Sequence, residues 1–273
     1  MAGGSSHADL AGPGRMRSAL PLYDALAPTY EDHFNALHRR AYDELAWDIC
    51  SDALPAPPAL VIDVGCGVGR WARRLVADGY QVIGVEPAPA MVDQAVRSLP
   101  GPAFRLHAAR VEDVELEPES AQAVLAMGSL QYADDPAAAM ARCAGWLSPN
   151  GVLCVLVDSL HALVLELIAA GREDEALERL ATRRGVWQVD GEEADLHLLD
   201  RAALEEAAAA AGLRVERVAG LLVGASAHGR AGLLARLTGD YPAQLATERR
   251  LAAWPQLSDL GKQLLIVARK PTP

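Results

Sequence analysis

Positive charge is scarce in this 273-residue sequence, where 25 Lys and Arg face 36 Asp and Glu, a formal net charge of −11. An acidic surface repels a phosphate backbone, which argues against nucleic acid as a partner unless basic residues concentrate in one patch. The pairs Arg39-Arg40, Arg73-Arg74, Arg183-Arg184 and Arg249-Arg250 are instead scattered among acids and apolar residues. Long apolar runs are also missing. A membrane span needs roughly 20 uninterrupted apolar residues, and the best stretch, 151–171, is broken by Asp158, His161 and Glu166. The opening MAGGSSHADLAGPGRMRS has no apolar centre, so it does not read as a secretory signal, and a disordered leader over 1–18 is expected. The four cysteines, Cys50, Cys66, Cys143 and Cys154, form no C-x-x-C pair, and no His cluster has metal-ligand spacing. Reduced, buried thiols in a cytoplasmic protein without a metal are expected. No repeat or low-complexity tract is visible.

What is present is a hydrophobic fraction of 51%, which excludes wholesale disorder and suits one enlarged domain or a domain with a cap. Leu22, Leu26, Tyr30, Phe34 and Leu37 recur at helical intervals, so a helical segment is predicted over 19–55. It is dense in aromatic and His residues and ends at Pro55-Ala56-Pro57-Pro58. Strands are then predicted at 60–64, 81–85, 103–107, 121–127 and 151–157, with helices at 70–78, 89–99 and 136–147. That alternation implies a parallel sheet covered on both faces. Further on, helices are expected over 159–182 and 201–211, and strands over 213–218 and 264–269. Two inserts, at about 159–195 and 224–261, are expected to cap the strand ends.

The chemistry-bearing segment is Val61-Ile62-Asp63-Val64-Gly65-Cys66-Gly67-Val68-Gly69, at the end of one strand and the start of a helix. Glycines there let the backbone approach a ligand, and the helix N-terminus offers free amides. A dinucleotide fingerprint, G-x-G-x-x-G, would want its third small residue where Arg70 stands. Asp63 would repel a pyrophosphate but suits a cationic ligand. Glu86, 23 residues after Asp63, ends the second strand, where an acid can take ribose hydroxyls.

With these residues the sequence resembles the class I S-adenosylmethionine-dependent methyltransferases. It is similar to their small-molecule, type 11/25-like branch, whose first motif reads (V/L)-(L/I)-D-(V/L)-G-C-G-x-G. Val85-Glu86-Pro87, Pro89-Ala90-Met91 and Leu147-Ser148-Pro149-Asn150-Gly151 resemble later family segments. So do Leu199-Asp200 with Ala211-Gly212-Leu213, and Tyr23-Asp24-Ala25-Leu26-Ala27-Pro28-Thr29-Tyr30, over roughly 20–218. The resemblance implies an α/β fold, a Rossmann-like seven-stranded, mostly parallel sheet with helices on both faces and a helical cap. Its last strand would be antiparallel, with a lid over 19–55 and the Rossmann-like domain over 56–273.

The implied cofactor is S-adenosyl-L-methionine, with S-adenosyl-L-homocysteine as product. Its implied contacts are Tyr23, Tyr30, Asp63, Gly65, Cys66, Gly67, Gly69, Glu86, Pro87, Met91, Arg110, Val111, Met127 and Gly128. Asp63 and the glycine turn would hold the methionine part, Glu86 the ribose and Met91 the adenine. The family's acid after the third strand has no clear counterpart in Ala108-Ala109-Arg110-Val111-Glu112, so backbone groups, Glu112 or Asp113 would serve adenine. Ser129, Gln131 and Tyr132 follow the fourth strand, on the edge where open α/β sheets bind ligands, and are acceptor candidates. His33 and His38 on the lid are candidate bases.

No N/D-P-P-Y segment follows the fourth strand, where Ala126-Met127-Gly128-Ser129 stands. A small-molecule acceptor of specialised metabolism, methylated on oxygen or nitrogen by a monomer or homodimer, is therefore expected. Three alternatives stay open: a nicotinamide-dependent oxidoreductase, a cyclase-like enzyme of the same fold, and a non-catalytic cofactor-binding subunit.

Overall fold

The computed structural model describes residues 16–272, so most of the expected leader lies outside the described residues. The amphipathic N-terminal segment folds as α1 (Leu20–Leu26), a 3-10 stretch (Ala27–Asn35) and α2 (Leu37–Ala53). The Gly-punctuated apolar runs that follow give β1 (Leu60–Val64), α3 (Arg70–Ala77), β2 (Gln81–Val85), α4 (Pro89–Ser98), β3 (Phe104–His107) and β4 (Ala121–Met127). Then come α5 (Pro136–Trp146), β5 (Leu147–Asp158), α6 (Leu160–Ala169), α7 (Glu173–Thr182), β6 (Arg184–Val189), β7 (Glu192–His197) and α8 (Arg201–Ala210). The chain closes with β8 (Arg214–Leu221), α9 (Val223–Gly239), α10 (Tyr241–Ala252) and β9 (Gln263–Arg269). Helix starts follow their caps: Asp135, Ser159 and Asp200 accept amide hydrogens in the first turns of α5, α6 and α8.

Seven strands form one sheet in the order β3-β2-β1-β4-β5-β9-β8. β1 to β5 pair in parallel, and β9 runs antiparallel to both β5 and β8. Side chains alternate between faces. Val61, Leu125 and Leu156 join α2, α3, α9 and α10 on one side, whereas Ile62, Val124 and Leu153 join α5 and α8 on the other. The strand order reverses between β1 and β4, and a crevice opens there at the carboxyl ends of the strands.

Two features depart from the sequence reading. The insert after β5 ends in an antiparallel hairpin, β6–β7, in a stretch beyond the helix expected over 159–182 where no strand was foreseen. Its two-residue turn, Asp190-Gly191, has positive φ at both positions (50° and 87°), the geometry that lets tightly twisted strands close. Residues 16–18, placed in the leader from sequence, lie against this hairpin. The Arg17 amide and guanidinium donate to Asp195 at 2.9, 3.0 and 2.8 Å, and the guanidinium also pairs with Glu193. Two acids on β7 thus hold the segment in place. All four cysteines are buried and unpaired. Among the described residues, no helix is long and apolar enough to cross a membrane and no three His, Cys, Asp or Glu groups cluster for a metal.

Candidate active site

The glycine turn after β1 is held from three sides. The Gly65 amide donates to the Val85 carbonyl at 2.7 Å, and the Gly67 amide donates to Glu86 Oε2 at 2.9 Å. Glu86 Oε1 accepts from the Ala88 amide at 2.9 Å, so a single carboxylate ties the turn to the start of α4. Burial pushes the Glu86 pKa up, while those two amides hold it down. Gly65 has φ +68°, and any side chain there would collide with Ser129, whose Oγ donates to the Val64 carbonyl at 2.5 Å.

Asp63 shares its face of β1 with Val61, toward α3, and is 2% exposed. Burial and then repulsion from Glu86 push its carboxyl up to about 7, against Arg70 and the Ala72 amide. Its Oδ2 atom is buried with no hydrogen-bond partner among the described residues. An unpartnered buried carboxylate oxygen is costly, and a cationic ligand group would relieve it. Asp63 borders neither of the two cavities at this crevice and lies behind the turn, where its orphaned oxygen fits an ammonium that reaches it past the glycines.

Two cavities open at this crevice. The first, about 350 Å³, is bordered by Gly65, Gly67, Glu86, Pro87, Arg110, Val111, Glu112 and residues 16–20. The second, about 330 Å³, lies under the lid and hairpin and is bordered by His38, Arg39, Gln131, Asp158, Trp187, Arg230 and Lys262, among others. Tyr23, Tyr30, Met127, Gly128 and Tyr132 border both, and so form the wall between them. The Tyr23 ring lies 6.3 Å from Tyr30, 5.6 Å from Tyr132 and 5.4 Å from Trp187, centroid to centroid. Burial raises the pKa of all three phenols, which therefore stay neutral and water-excluding.

The lid is fastened to the helices behind the turn. Arg70 donates to both oxygens of Asp43 on α2, at 2.8 and 2.5 Å, and its guanidinium stacks 3.6 Å from the Phe34 ring centroid. Arg70 thus latches the lid. The Asp24 carboxylate accepts from the Ala90 amide at 2.8 Å, and Gln94 donates to the Ala27 carbonyl at 2.7 Å.

Several sequence expectations are corrected. Cys66 turns its sulfur into the core, where a Cβ on Gly84 would come within 2.8 Å of it. Gly69 precedes α3 in a left-handed conformation, and a side chain there would meet Ala95 of α4 and Leu99 just after it. Met91 is fully buried with Leu22, Leu26, Val68 and Ala88 and borders neither cavity, its sulfur 4.0 Å from where a Cβ on Gly67 would stand. His33 borders neither cavity and sits beside Tyr30, ring centroids 6.5 Å apart. Ser129 borders the first cavity, not the second, because its hydroxyl turns back to β1. Gln131 and Tyr132 do border the second.

His38 also borders the second cavity. Burial, then the charges of Arg230, Arg39 and Lys262, push its pKa down to about 4. It is neutral at pH 7 and a weak base.

Sequence reasoning missed Arg39, Asp158, Trp187, Arg230 and Lys262. Asp158 is fixed by Gln131, whose amide donates to Oδ2 at 3.0 Å and accepts from the Asp158 amide at 2.7 Å. Trp187 could have been found from the Asp-Gly turn between two runs of alternating polarity. The cations carry no local signal, since α2, α9 and β9 meet only in the folded chain.

Comparison with known proteins places this geometry. Residues 62–155 match the profile of the family described as "Methyltransferase domain". Methyltransferase-like protein 27 of Homo sapiens is 37% identical over 176 residues, which span 62% of this chain and 68% of that one. Other curated relatives align over 40% to 57% of their own lengths. An S-adenosylmethionine-dependent methyltransferase from Mesorhizobium loti superposes with a TM-score of 0.57 at 18% identity, covering 83% of this chain and 98% of that one. The [4+2]-cyclase SpnF superposes with a TM-score of 0.61 at 19% identity, covering 93% and 96%. These two likenesses show a shared fold.

Proposed function

Since the chain belongs to the class I S-adenosylmethionine-dependent methyltransferases, we propose that the first cavity holds the cofactor and the second a small-molecule acceptor. The supporting observation is the common wall. Two cavities of similar size, 350 and 330 Å³, meet across Tyr23, Tyr30, Met127, Gly128 and Tyr132, so ligands on either side can be brought end to end. When bound, the cofactor supplies an electrophilic sulfonium methyl group.

The chain's own residues hold and orient. Gly65 and Gly67 let the backbone approach the methionine portion, and the free oxygen of Asp63 accepts from its ammonium. Glu86 uses the lone pairs left by its two amide bonds to take the ribose hydroxyls. Pro87, Arg110, Val111 and Glu112 border the space left for adenine. Cys66, Gly69 and Met91 act indirectly, by packing behind the turn and α4. The neutral phenols of Tyr23, Tyr30 and Tyr132 exclude water and hold the acceptor atom in line, the main contribution a protein makes to such a transfer. His38 borders the acceptor, but its lowered pKa suits an acceptor that arrives already deprotonated or as a free amine. The buried, unpaired thiols fit a cytoplasmic setting, and the small second cavity fits a metabolite.

Calorimetry with S-adenosylmethionine, S-adenosylhomocysteine and NAD tests the reading. Micromolar binding of the first two, lost in Glu86→Ala and Asp63→Ala, is expected. Binding of NAD alone would overturn it.

A further inference from the structure

We propose that the acceptor carries a carboxylate, and that Arg39, Arg230 and Lys262 are the site that anchors it in the second cavity. The proposal deepens the functional reading above and rests on it. Its basis is a charge inversion. The chain carries a net charge of −11, yet three cations border this cavity against one carboxylate, Asp158, whose Oδ2 already accepts from the Gln131 amide.

The first cavity shows the contrast. Its two arginines are both paired: Arg17 with Asp195 at 2.8 Å, and Arg110 with Glu112 at 3.1 Å and Asp134 at 2.9 Å. In the second cavity, Arg39 and Arg230 make no ion pair among the described residues, and only Lys262 has a partner, Glu166 at 2.6 Å. The three cations come from α2, α9 and the loop entering β9. Nothing in the local folding of those segments requires them to converge. Arg39 and Arg230 border one cavity without an ion-pair partner among the described residues, and a bound anion would supply their counter-charge. All three border the same cavity as His38, whose proton affinity burial and then their charges lower.

The chemistry of the lining narrows the class. Two guanidinium groups offer paired donors that match a planar carboxylate. Leu163, Trp187, Leu196 and Leu198 border the same cavity and take an apolar or aromatic body. Asp158 disfavours a doubly charged group such as a phosphate monoester. A small monocarboxylic acid with a hydrocarbon or aryl body is therefore the match.

The test titrates three acids, cinnamate, 4-phenylbutyrate and octanoate, against their primary amides and against phenyl phosphate. Calorimetry on the full chain is run with and without S-adenosylhomocysteine, for wild type and Arg39→Gln/Arg230→Gln. Expected is at least one acid binding about ten-fold or more tightly than its amide, from charge-assisted hydrogen bonds. The preference weakens with added salt and vanishes in the double variant, whose affinity for S-adenosylhomocysteine stays within about two-fold of wild type. No acid outbinding its amide, or a preference that survives in the double variant, would overturn the proposal. So would phenyl phosphate binding more tightly than every acid. Binding of S-adenosylhomocysteine is read separately, so its failure counts against the cofactor reading while the acid preference is still measured.

Discussion

The two cavities were built by different means. The first takes its turn, Glu86 and the Asp63 buried behind the turn from 24 consecutive residues, Asp63 to Glu86, all within one β-α-β unit. The second draws on α2, the end of β5, the hairpin β6–β7, α9 and the approach to β9. A site made within one supersecondary unit needs fixed residue types at fixed spacing, because turn geometry and helix start allow few substitutes. A site made where distant elements meet needs only side chains of suitable charge and size, and each element can supply them from many positions. The cofactor side is therefore a local property of the chain and the acceptor side a tertiary one.

That contrast can be broken most severely at Gly65. An Ala there forces a left-handed φ on a residue with a Cβ and drives that Cβ into Ser129. Overpacking costs about 1–3 kcal/mol and the left-handed conformation about 1–2 kcal/mol. Gly65→Ala is expected to lower the melting temperature and to weaken S-adenosylmethionine binding by about 100-fold or more, while probes of the second cavity bind much as before. Equal losses at both cavities would show that the two sides are not separately built.

A smaller effect is expected at the latch. Arg70→Ala removes the bidentate pair with Asp43 and the stacking on Phe34, both of which tie the lid to α3. Bonds between charged groups in such partly buried settings contribute about 1.5–3 kcal/mol. The KM for S-adenosylmethionine should rise about ten-fold with a smaller change in kcat, and Asp43→Ala should match it. An unchanged KM in both variants would remove the lid from the cofactor side of the comparison.

The legibility of the molecule followed the same division. Period and punctuation placed β1, β2 and β4 to the residue, since each is a short apolar run bounded by Gly or Pro or by a polar turn. The glycine turn and Glu86 stood out by residue type and spacing at the strand ends, whereas Tyr23 and Tyr30 were singled out only through the family resemblance. Met91 stands in a family-like position and is buried against α1, a packing that depends on tertiary structure and carries no local signal. Ser129 borders the first cavity and not the second for a related reason. Its strand end was correct, but its rotation toward the Val64 carbonyl is set by the space Gly65 leaves. Arg230 and Lys262 could not be singled out, since nothing local distinguishes them from solvated charges.

The smallest effect is a proton. Burial and Glu86 raise the Asp63 pKa to about 7, so the ligand-free protein holds a proton there that the unfolded chain gives up near 3.9. The associated stability is present at acid pH and is lost as the pH rises through about 7. An ammonium docked on Asp63 pulls the pKa back down. Binding of S-adenosylmethionine at pH 6 should therefore release close to one proton, and at pH 8 almost none. Calorimetry in buffers of different ionisation enthalpy measures this, and Asp63→Asn should abolish it. Equal proton release at both pH values, or its persistence in Asp63→Asn, would detach Asp63 from the ligand.

The central claim is that the reaction crosses the wall of Tyr23, Tyr30, Met127, Gly128 and Tyr132. A crystal structure of the S-adenosylhomocysteine complex tests it most directly. The account requires the homocysteine amine on Asp63, the ribose on Glu86 and the sulfur against that wall, facing the cavity that holds Arg39 and Arg230. A sulfur directed away from Tyr132 and Met127, or a ligand lodged in the second cavity, would contradict it.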